Sequence, residues 1–599
     1  MGFFEVHIIE NYNAQAKRVY CYVAECIWDK NHKKYVKPRV PVGHLEGSPS
    51  MFVPNKTFAA LLQSDKDNHI TAGERERAMI DTVKSKYGNN IDLTLKRPAR
   101  TKVQTAKAIF LGPSIVFGGI TSRYNIDTIL IKAFGYDITQ EILSMAWYLA
   151  CEGDALVNSN VWLGHFENPV GQPISSQDIT RLLDSIKYDG IMTFYKHWLE
   201  GFKKTGDKVF YDLTSISSYC RNIDMVNWGH NRDKEALPQV NFALLCIRKT
   251  AMPLFAWPLN GSVTDVRTLH NTLEFLDKLN YKPDCLMMDR GFASIKNITD
   301  LLRQKHTFLQ ALNLDANWIR TIIDAGRQAR LRPDSMIKVD ERTYYGSTSM
   351  CQWVIAKLNK PKKTEKESPE EAFIYQCKDS KHDKYTAKDT EEIIAQYPCV
   401  VHVLFCQDLV GNQWDRFMEK LNHEYERLLA DANAEPSKGL KNYFFIEKKK
   451  WAKNRTVDFN MEQITKHRNN YAGHLCFITN DKTINSSSGA LQEYSTRDYI
   501  EKDFDEMKND LDMRRIRVHN DERMKARLFI QFIAEIYLRE IRVRLHDSDI
   551  CKKLTRKQIF SHIKSIYKIK FIHKYNDIIP ELSKIQRAIL EALGFSAFR

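Results

Sequence analysis

Residues 494–508 read YSTRDYIEKDFDEMK. At about 100° per residue, Tyr494, Arg497, Glu501 and Lys508 fall within roughly 60° of one helix face and span about 21 Å of helix. One side of such a helix presents a phenol, a guanidinium, a carboxylate and an ammonium. A carboxylate among cations suits a metal site held against phosphates better than it suits a core. A solvated helix with i,i+4 charge pairs would use the same residue types. A fixed four-residue pattern arises by chance only about 0.004 times in a chain of this length. The question is then whether two more acids sit upstream, where a metal nuclease would need them.

Two acids do. Asp212 lies in KVFYDLTSIS, where Val209, Phe210 and Tyr211 read as a short strand and Thr214 and Ser215 as turn formers. Asp289 lies in DCLMMDRGFAS, at the exit of the apolar run from Cys285 to Met288. Such a run suits a strand buried on both faces. Either acid taken alone is better read as a turn former or helix cap at a strand end. Together, ahead of the 494–508 helix, they point to catalysis.

The spacing of Tyr494, Arg497, Glu501 and Lys508 resembles the Y-R-E-K signature of insertion-sequence DDE transposases. The resemblance implies an RNase H-like core in which Asp212, Asp289 and Glu501 are catalytic and hold two Mg²⁺, with Mn²⁺ able to substitute. The chemistry is consistent: two such ions about 3.5–4 Å apart generate the nucleophile and stabilise the leaving oxygen of a phosphodiester. Mg²⁺ takes hard oxygen ligands, including one or two carboxylates and substrate phosphate. Tyr494, Arg497 and Lys508 would then bind DNA phosphates, Arg in a bidentate manner and Lys as a point charge. Arg290 is a further phosphate ligand or the ion-pair partner of a core acid. GHLCFITN (473–480) looks like the strand preceding the catalytic Glu, and 513–545 resembles the family's basic-then-apolar helix. Relatives often carry a His where this chain has Arg527, a position that packs or touches DNA.

Composition agrees with a polyanionic partner. The chain has 599 residues, 43% of them hydrophobic, and a net charge of +15. That length is too great for one core and implies several domains. Basic runs stand at KRPARTK (96–102), EKKKWAKNR (447–455) and MRRIRVH (513–519). None of the 12 cysteines forms a C-x-x-C pair, and CVVHVLFC, with His402 between Cys399 and Cys406, reads as a buried strand rather than a zinc site. The thiols suit core packing in a reducing compartment. The N-terminus MGFFEVHIIENYN lacks a basic leader, and AIFLGPSIVFGGI (108–120) is too short and broken to span a bilayer. The expectation is a cytoplasmic, nucleoid-associated prokaryotic protein with no membrane partner.

The fold expected is an α/β multidomain chain. Residues 1–50 read as an N-terminal β-hairpin region and 51–200 as a helical DNA-binding region, with Asp137 capping a helix through Glu141. The first half of the RNase H-like core occupies 201–314, with strands near 208–213, 239–249, 252–258 and 307–312 and helices at 264–279 and 294–304. About 210 residues separate Asp289 from Glu501, too many for a simple connection. Residues 315–470 therefore read as a β-rich insertion domain. The second half of the core, with the catalytic Glu helix, follows at 471–545, and a helical C-terminal region at 546–599. Relatives use an aromatic of the insertion to hold an unstacked base during hairpin formation, which fits a stacking energy of roughly 1–3 kcal/mol per base. Trp318, Trp353, Trp414 and Trp451 lie in this segment. Trp451, inside a basic run, is the first choice.

The reading implied is a transposase acting as a homodimer in a synaptic complex on double-stranded DNA, at the terminal inverted repeats of its element and at target DNA. It would cleave and transfer strands by cut-and-paste with a hairpin intermediate. Two alternatives stay open: a catalytically idle, transposase-derived DNA-binding protein, and a metal-dependent DNA nuclease without a transposition role.

Overall fold

The computed structural model describes residues 6–13, 18–25, 27–29, 34–36, 39–46, 51–55, 57–59, 61–62, 74–88 and 90–91 of the N-terminal end. It then describes 106–546 except 204–207, 221, 234, 315, 340, 359–369, 377–389, 432, 438, 448–455, 496–503 and 506. Last come 548–550, 553–571 and 576–595.

The N-terminal strands are β1 (Val6–Asn13), β2 (Arg18–Glu25), β3 (Ile27–Asp29), β4 (Lys34–Val36), β5 (Arg39–Glu46) and β6 (Met51–Pro54). β1, β2, β5 and β6 form a four-stranded antiparallel sheet, and β3 and β4 a separate pair. Cys21 and Val23 of β2 and Val42 of β5 are buried with Met79, Ile80 and Val83 of the helix Glu74–Tyr87. The region is thus larger than the hairpin expected over 1–50, and its last strand lies beyond that boundary.

After β7 (Lys107–Phe110), six helices run from Gly112 to Glu200. The helix Tyr136–Glu152 is not capped by Asp137. Its cap residue is Gly135 at φ 83°, and Asp137 sits in the first turn, where a carboxylate favours the helix dipole.

The central sheet begins with β8 (Lys208–Ser217), β9 (Gln239–Ile247), β10 (Pro253–Asn260), β11 (Cys285–Met288) and β12 (Phe308–Ala311). Their spatial order is β10-β9-β8-β11-β12. β8, β9 and β10 are antiparallel neighbours; β11 runs parallel to both β8 and β12. The helices Asp265–Lys278 and Ile295–Arg303 make the connections around β11. All nine residues of β9 are buried, as in a strand covered on both faces. Tyr211 hydrogen-bonds Thr272 on the helix Asp265–Lys278, across one face. β8 does not turn after Tyr211: Asp212, Thr214 and Ser215 are strand residues.

Further strands are β13 (Met336–Val339), β14 (Arg342–Leu358), β15 (Glu370–Gln376), β16 (Thr390–Phe405), β17 (Phe444–Glu447), β18 (Thr456–Phe459), β19 (His474–Thr479) and β20 (Tyr567–Lys570). β19 lies against β12 and carries β16, β14 and β13 outward in the same ten-stranded sheet. The segment 315–470 is β-rich, and its long strands extend the core sheet rather than forming a separate one. The rest of it is largely helical, with Asp408–Ala430 and Met461–Asn470 flanking the pair β17–β18 around a small core of Phe417, Leu421, Leu428 and Tyr443.

The helix Asp521–His546 is buried along nearly its whole length. Phe529 and Phe532 meet Tyr195 edge-on, and Tyr195 also packs on Phe255 of β10. Arg527 packs rather than faces outward; it is 6% exposed and donates to Asp512 Oδ2 at 2.5 Å. The C-terminal region is not purely helical either, because β20 pairs with β7 and ties residues 567–570 to the N-terminal helical region. Among the described residues, no helix is long and apolar enough to cross a membrane. The molecule is a mixed α/β structure with one large mixed sheet and many helices.

Candidate active site

The register of the two central parallel strands sets the site. Met288 of β11 pairs with Tyr211 of β8. Asp289 stays extended, at φ −76° and ψ 164°. It therefore stands level with Asp212 on the neighbouring strand, with backbones about 4.8 Å apart. Side chains alternate along a strand. Tyr211 points to the helix Asp265–Lys278, so Asp212 points to the opposite face, and Asp289 points with it. Both acids are half-buried.

Three groups hold this arrangement. Asp212 Oδ1 accepts from the Leu213 amide at 2.8 Å. Gln310, fully buried on β12, donates to the Asp289 carbonyl at 2.6 Å and to the Ala311 carbonyl at 2.8 Å. That amide pins the exit of β11; its sequence signal was a lone Gln inside the run TFLQAL. The third is Tyr494, whose hydroxyl donates to Asp289 Oδ1 at 2.8 Å while its ring packs 4.8 Å from Phe477 of β19.

Tyr494 sits at the end of the helix Ser487–Ser495. Its neighbour Glu493 anchors that helix to the sheet. Glu493 meets Lys208 Nζ at 3.0 Å and Arg248 Nε at 2.5 Å, at the start of β8 and just past β9. Asp481 adds a second carboxylate 3.4 Å from Lys208. The cluster lies beneath the acid pair and was invisible in the sequence, because its members come from four distant segments.

Lys508 is half of an ion pair, with its ammonium 2.7 Å from both carboxylate oxygens of Asp233 in the β8–β9 loop. The Arg290 side chain is exposed beside Asp289. Glu501, Arg497 and Trp451 lie outside the described residues, as do residues 96–102. The reading of 494–508 as one helix is covered only at its ends: the helix through Ser495, and helical residues at 504, 505 and 507–510.

The three described tryptophans of 315–470 are packed. Trp353 is 1% exposed and donates to Thr299 Oγ1 at 3.1 Å, and Trp318 meets it edge-on at 6.0 Å. Trp414 lies 5.9 Å from Phe417, with Arg468 5.2 Å over its ring. Trp353 is buried, whereas Trp318 and Trp414 are partly exposed.

The basic run 513–519 alternates. Met513, Ile516 and Val518 are buried; Arg514, Arg517 and His519 are exposed. Two level carboxylates on adjacent strands, with a phenol bonded to one of them, make up a set of hard oxygen donors. A hard divalent cation fits that donor set.

No protein-family profile matches the sequence, and no curated protein matches it. Among solved structures, a cryo-electron microscopy structure of a piggyBac transposase synaptic complex with hairpin DNA is similar at a TM-score of 0.31 and 10% identity, covering 79% of this chain and 82% of that one.

Proposed function

We propose that this protein is a DDE transposase with an RNase H-like core: an enzyme that binds the terminal inverted repeats of its element and cleaves and joins DNA strands. The observation that carries the reading is the level pairing of Asp212 and Asp289 on adjacent parallel strands, with Tyr494 bonded to Asp289. Three antiparallel strands followed by two parallel ones in the order β10-β9-β8-β11-β12 support the RNase H-like assignment.

Asp212 and Asp289, joined by Glu501, would hold two Mg²⁺. When bound, such ions supply an activated water or 3′-hydroxyl and stabilise the leaving oxygen. The remaining work belongs to the chain. Tyr494 fixes the rotamer of Asp289. Arg497 and Lys508 hold the phosphates flanking the cut, Lys508 exchanging Asp233 for a phosphate of the same sign. Phosphate contacts of this kind set register without reading sequence. After the first nick, the freed 3′-hydroxyl attacks the phosphorus of the opposite strand, forming a hairpin and displacing the flanking 3′-oxygen. Two protomers would hold two ends in one synaptic complex.

The test is cleavage of a labelled DNA fragment spanning the flanks of the gene, with Mg²⁺, by wild type and Glu501→Gln. Cuts at the flank boundaries that vanish in the variant support the proposal. Cuts scattered without regard to the flanks would replace it with a general nuclease. Flank binding without cutting by either protein would replace it with an idle DNA-binding protein.

A further inference from the structure

Residues 507–510 are helical, and Lys508 lies in this turn with its side chain 12% exposed. Asp512 then carries the chain through φ 54°, in the left-handed region that glycine usually occupies after a helix. The Met513 amide reaches back to the Met507 carbonyl at 3.2 Å and closes the turn.

Two side chains of the buried helix Asp521–His546 grip this turn. Gln531, 1% exposed, donates from Nε2 to the Leu511 carbonyl at 2.6 Å. Arg527, one turn earlier on the same face, donates from Nη2 to the Asp512 carbonyl at 3.1 Å and to Asp512 Oδ2 at 2.5 Å. Carbonyls at a helix end lack partners within the helix, and here two of them are met by buried donors. The preceding residue is held as well. Arg556 meets the Asp510 carboxylate at 2.9 Å, and a Cβ at Gly153 would lie 2.5 Å from the Asp510 carbonyl oxygen. Three separate segments of the chain thus converge on residues 510–512.

Packing alone does not call for these residues. Burying an amide and a guanidinium carries a desolvation cost that apolar side chains of similar size avoid. An aspartate in the left-handed region adds strain that glycine would relieve. What the polar set supplies is one rotation and one height for the helix end. A slip of one residue would turn Lys508 by about 100° and shift it by about 1.5 Å. Resting on the proposed action on DNA, we infer that Gln531 and Arg527 are positioning residues: they hold the 511–512 turn and through it set Lys508 on the DNA phosphate beside the cut.

The test reads a charge through substitutions that alter none. The full chain binds a duplex spanning the flanks of the gene, and affinity is followed against salt. One phosphate contact contributes about 0.9 to the slope of log affinity on log salt. Lys508→Ala should lower the slope by about that much. Gln531→Met, close in volume and equally uncharged, should lower it by the same amount, and in the Lys508→Ala background should lower it no further. Single-turnover cleavage with Mg²⁺ should follow. Gln531→Met should be roughly tenfold slower than wild type, yet within about twofold of Lys508→Ala when added to that variant. Arg527→Lys keeps the charge and loses the planar fork, so it should show the same slope loss, and it decides the matter if Gln531→Met does not fold. A wild-type slope and rate in the folded variant would overturn the inference. Losses that add to those of Lys508→Ala would overturn it too, because the two residues would then act on the fold at large. Flank binding without cutting by wild type would overturn the cleavage reading alone, since the slopes still report the placement of Lys508. Wild type that does not bind the duplex would overturn both.

Discussion

Tyr494 and Asp289 are 205 positions apart in the chain and joined by a 2.8 Å hydrogen bond from phenol to carboxylate. The bond couples the helix after β19 to the exit of β11, so the two halves of the core meet at the acid pair. Tyr494→Phe removes the donor but keeps the ring on Phe477. A hydrogen bond to a charged group contributes about 1.5–3 kcal/mol. Little of that should appear as lost stability, because Asp289 is half-buried and water can replace the donor. It should appear as a cleavage rate lower by about tenfold, through a less fixed carboxylate. Single-turnover cleavage by wild type and Tyr494→Phe at saturating DNA checks this, and equal rates would remove Tyr494 from the site.

The strands of the central sheet were legible because each is a buried apolar run with a turn or helix signal after it. Asp289 stood out as the polar residue ending CLMM, and Asp212 as the acid inside KVFYDLTS. Their common level was not legible, since register between strands whose paired residues lie 77 positions apart has no local signature. Nor was the extension of the sheet by β16 and β14. Those strands look alike whether they form their own sheet or join β19; the choice is made by long-range pairing. Exposure separates the tryptophans in the same way. Trp353 is 1% and Trp228 68% exposed, yet both stand among polar and apolar neighbours in sequence.

The acid pair predicts a metal-dependent stability that does not need DNA. Two carboxylates level on adjacent strands repel one another, and Mg²⁺ would relieve that repulsion. Saturating Mg²⁺ should raise the melting temperature of the wild type by about 1–3 °C. Asp212→Asn and Asp289→Asn should each abolish that rise and, in EDTA, melt no lower than wild type. Both should also lose cleavage. A full Mg²⁺ response in either variant, read by scanning fluorimetry, would remove that residue from the metal set.

Glu493 offers a test of how the helix Ser487–Ser495 is held. Its carboxylate serves both Lys208 and Arg248, whose side chains are 20% and 17% exposed. Glu493→Ala leaves both cations facing one another across a half-buried gap, although Lys208 retains Asp481. Breaking a fully buried pair costs 3–5 kcal/mol; with partial exposure a loss of about 2 kcal/mol is expected. Urea unfolding measures it. The same variant should show the Tyr494→Phe cleavage defect, because Tyr494 is the next residue. Lost stability with normal cleavage would show that the clamp does not position Tyr494.

Acid sensitivity should trace to two histidines in the outer half of the sheet. His402 is fully buried on β16, its ring nitrogens 3.0 Å from Thr348 Oγ1 and 3.1 Å from the Ile484 carbonyl. His474 on β19 is 8% exposed, 3.1 Å from the Tyr471 carbonyl. Burial holds both rings neutral and pulls each down to about 4; Arg330 adds to the effect at His474. A lowered folded value means that stability is fully present above the unfolded value, about 6.5, and is lost as pH falls through the folded one. Between pH 6.5 and pH 4 each ring therefore withdraws up to about 3 kcal/mol. Urea unfolding at pH 7.5, 6 and 5 should show falling stability with close to two protons taken up per molecule unfolded at pH 5, above the uptake from carboxylates. His402→Gln keeps a hydrogen-bonding side chain but cannot titrate. It should be less stable at pH 7.5, yet take up about one proton fewer at pH 5. An unchanged proton uptake would place the acid sensitivity elsewhere.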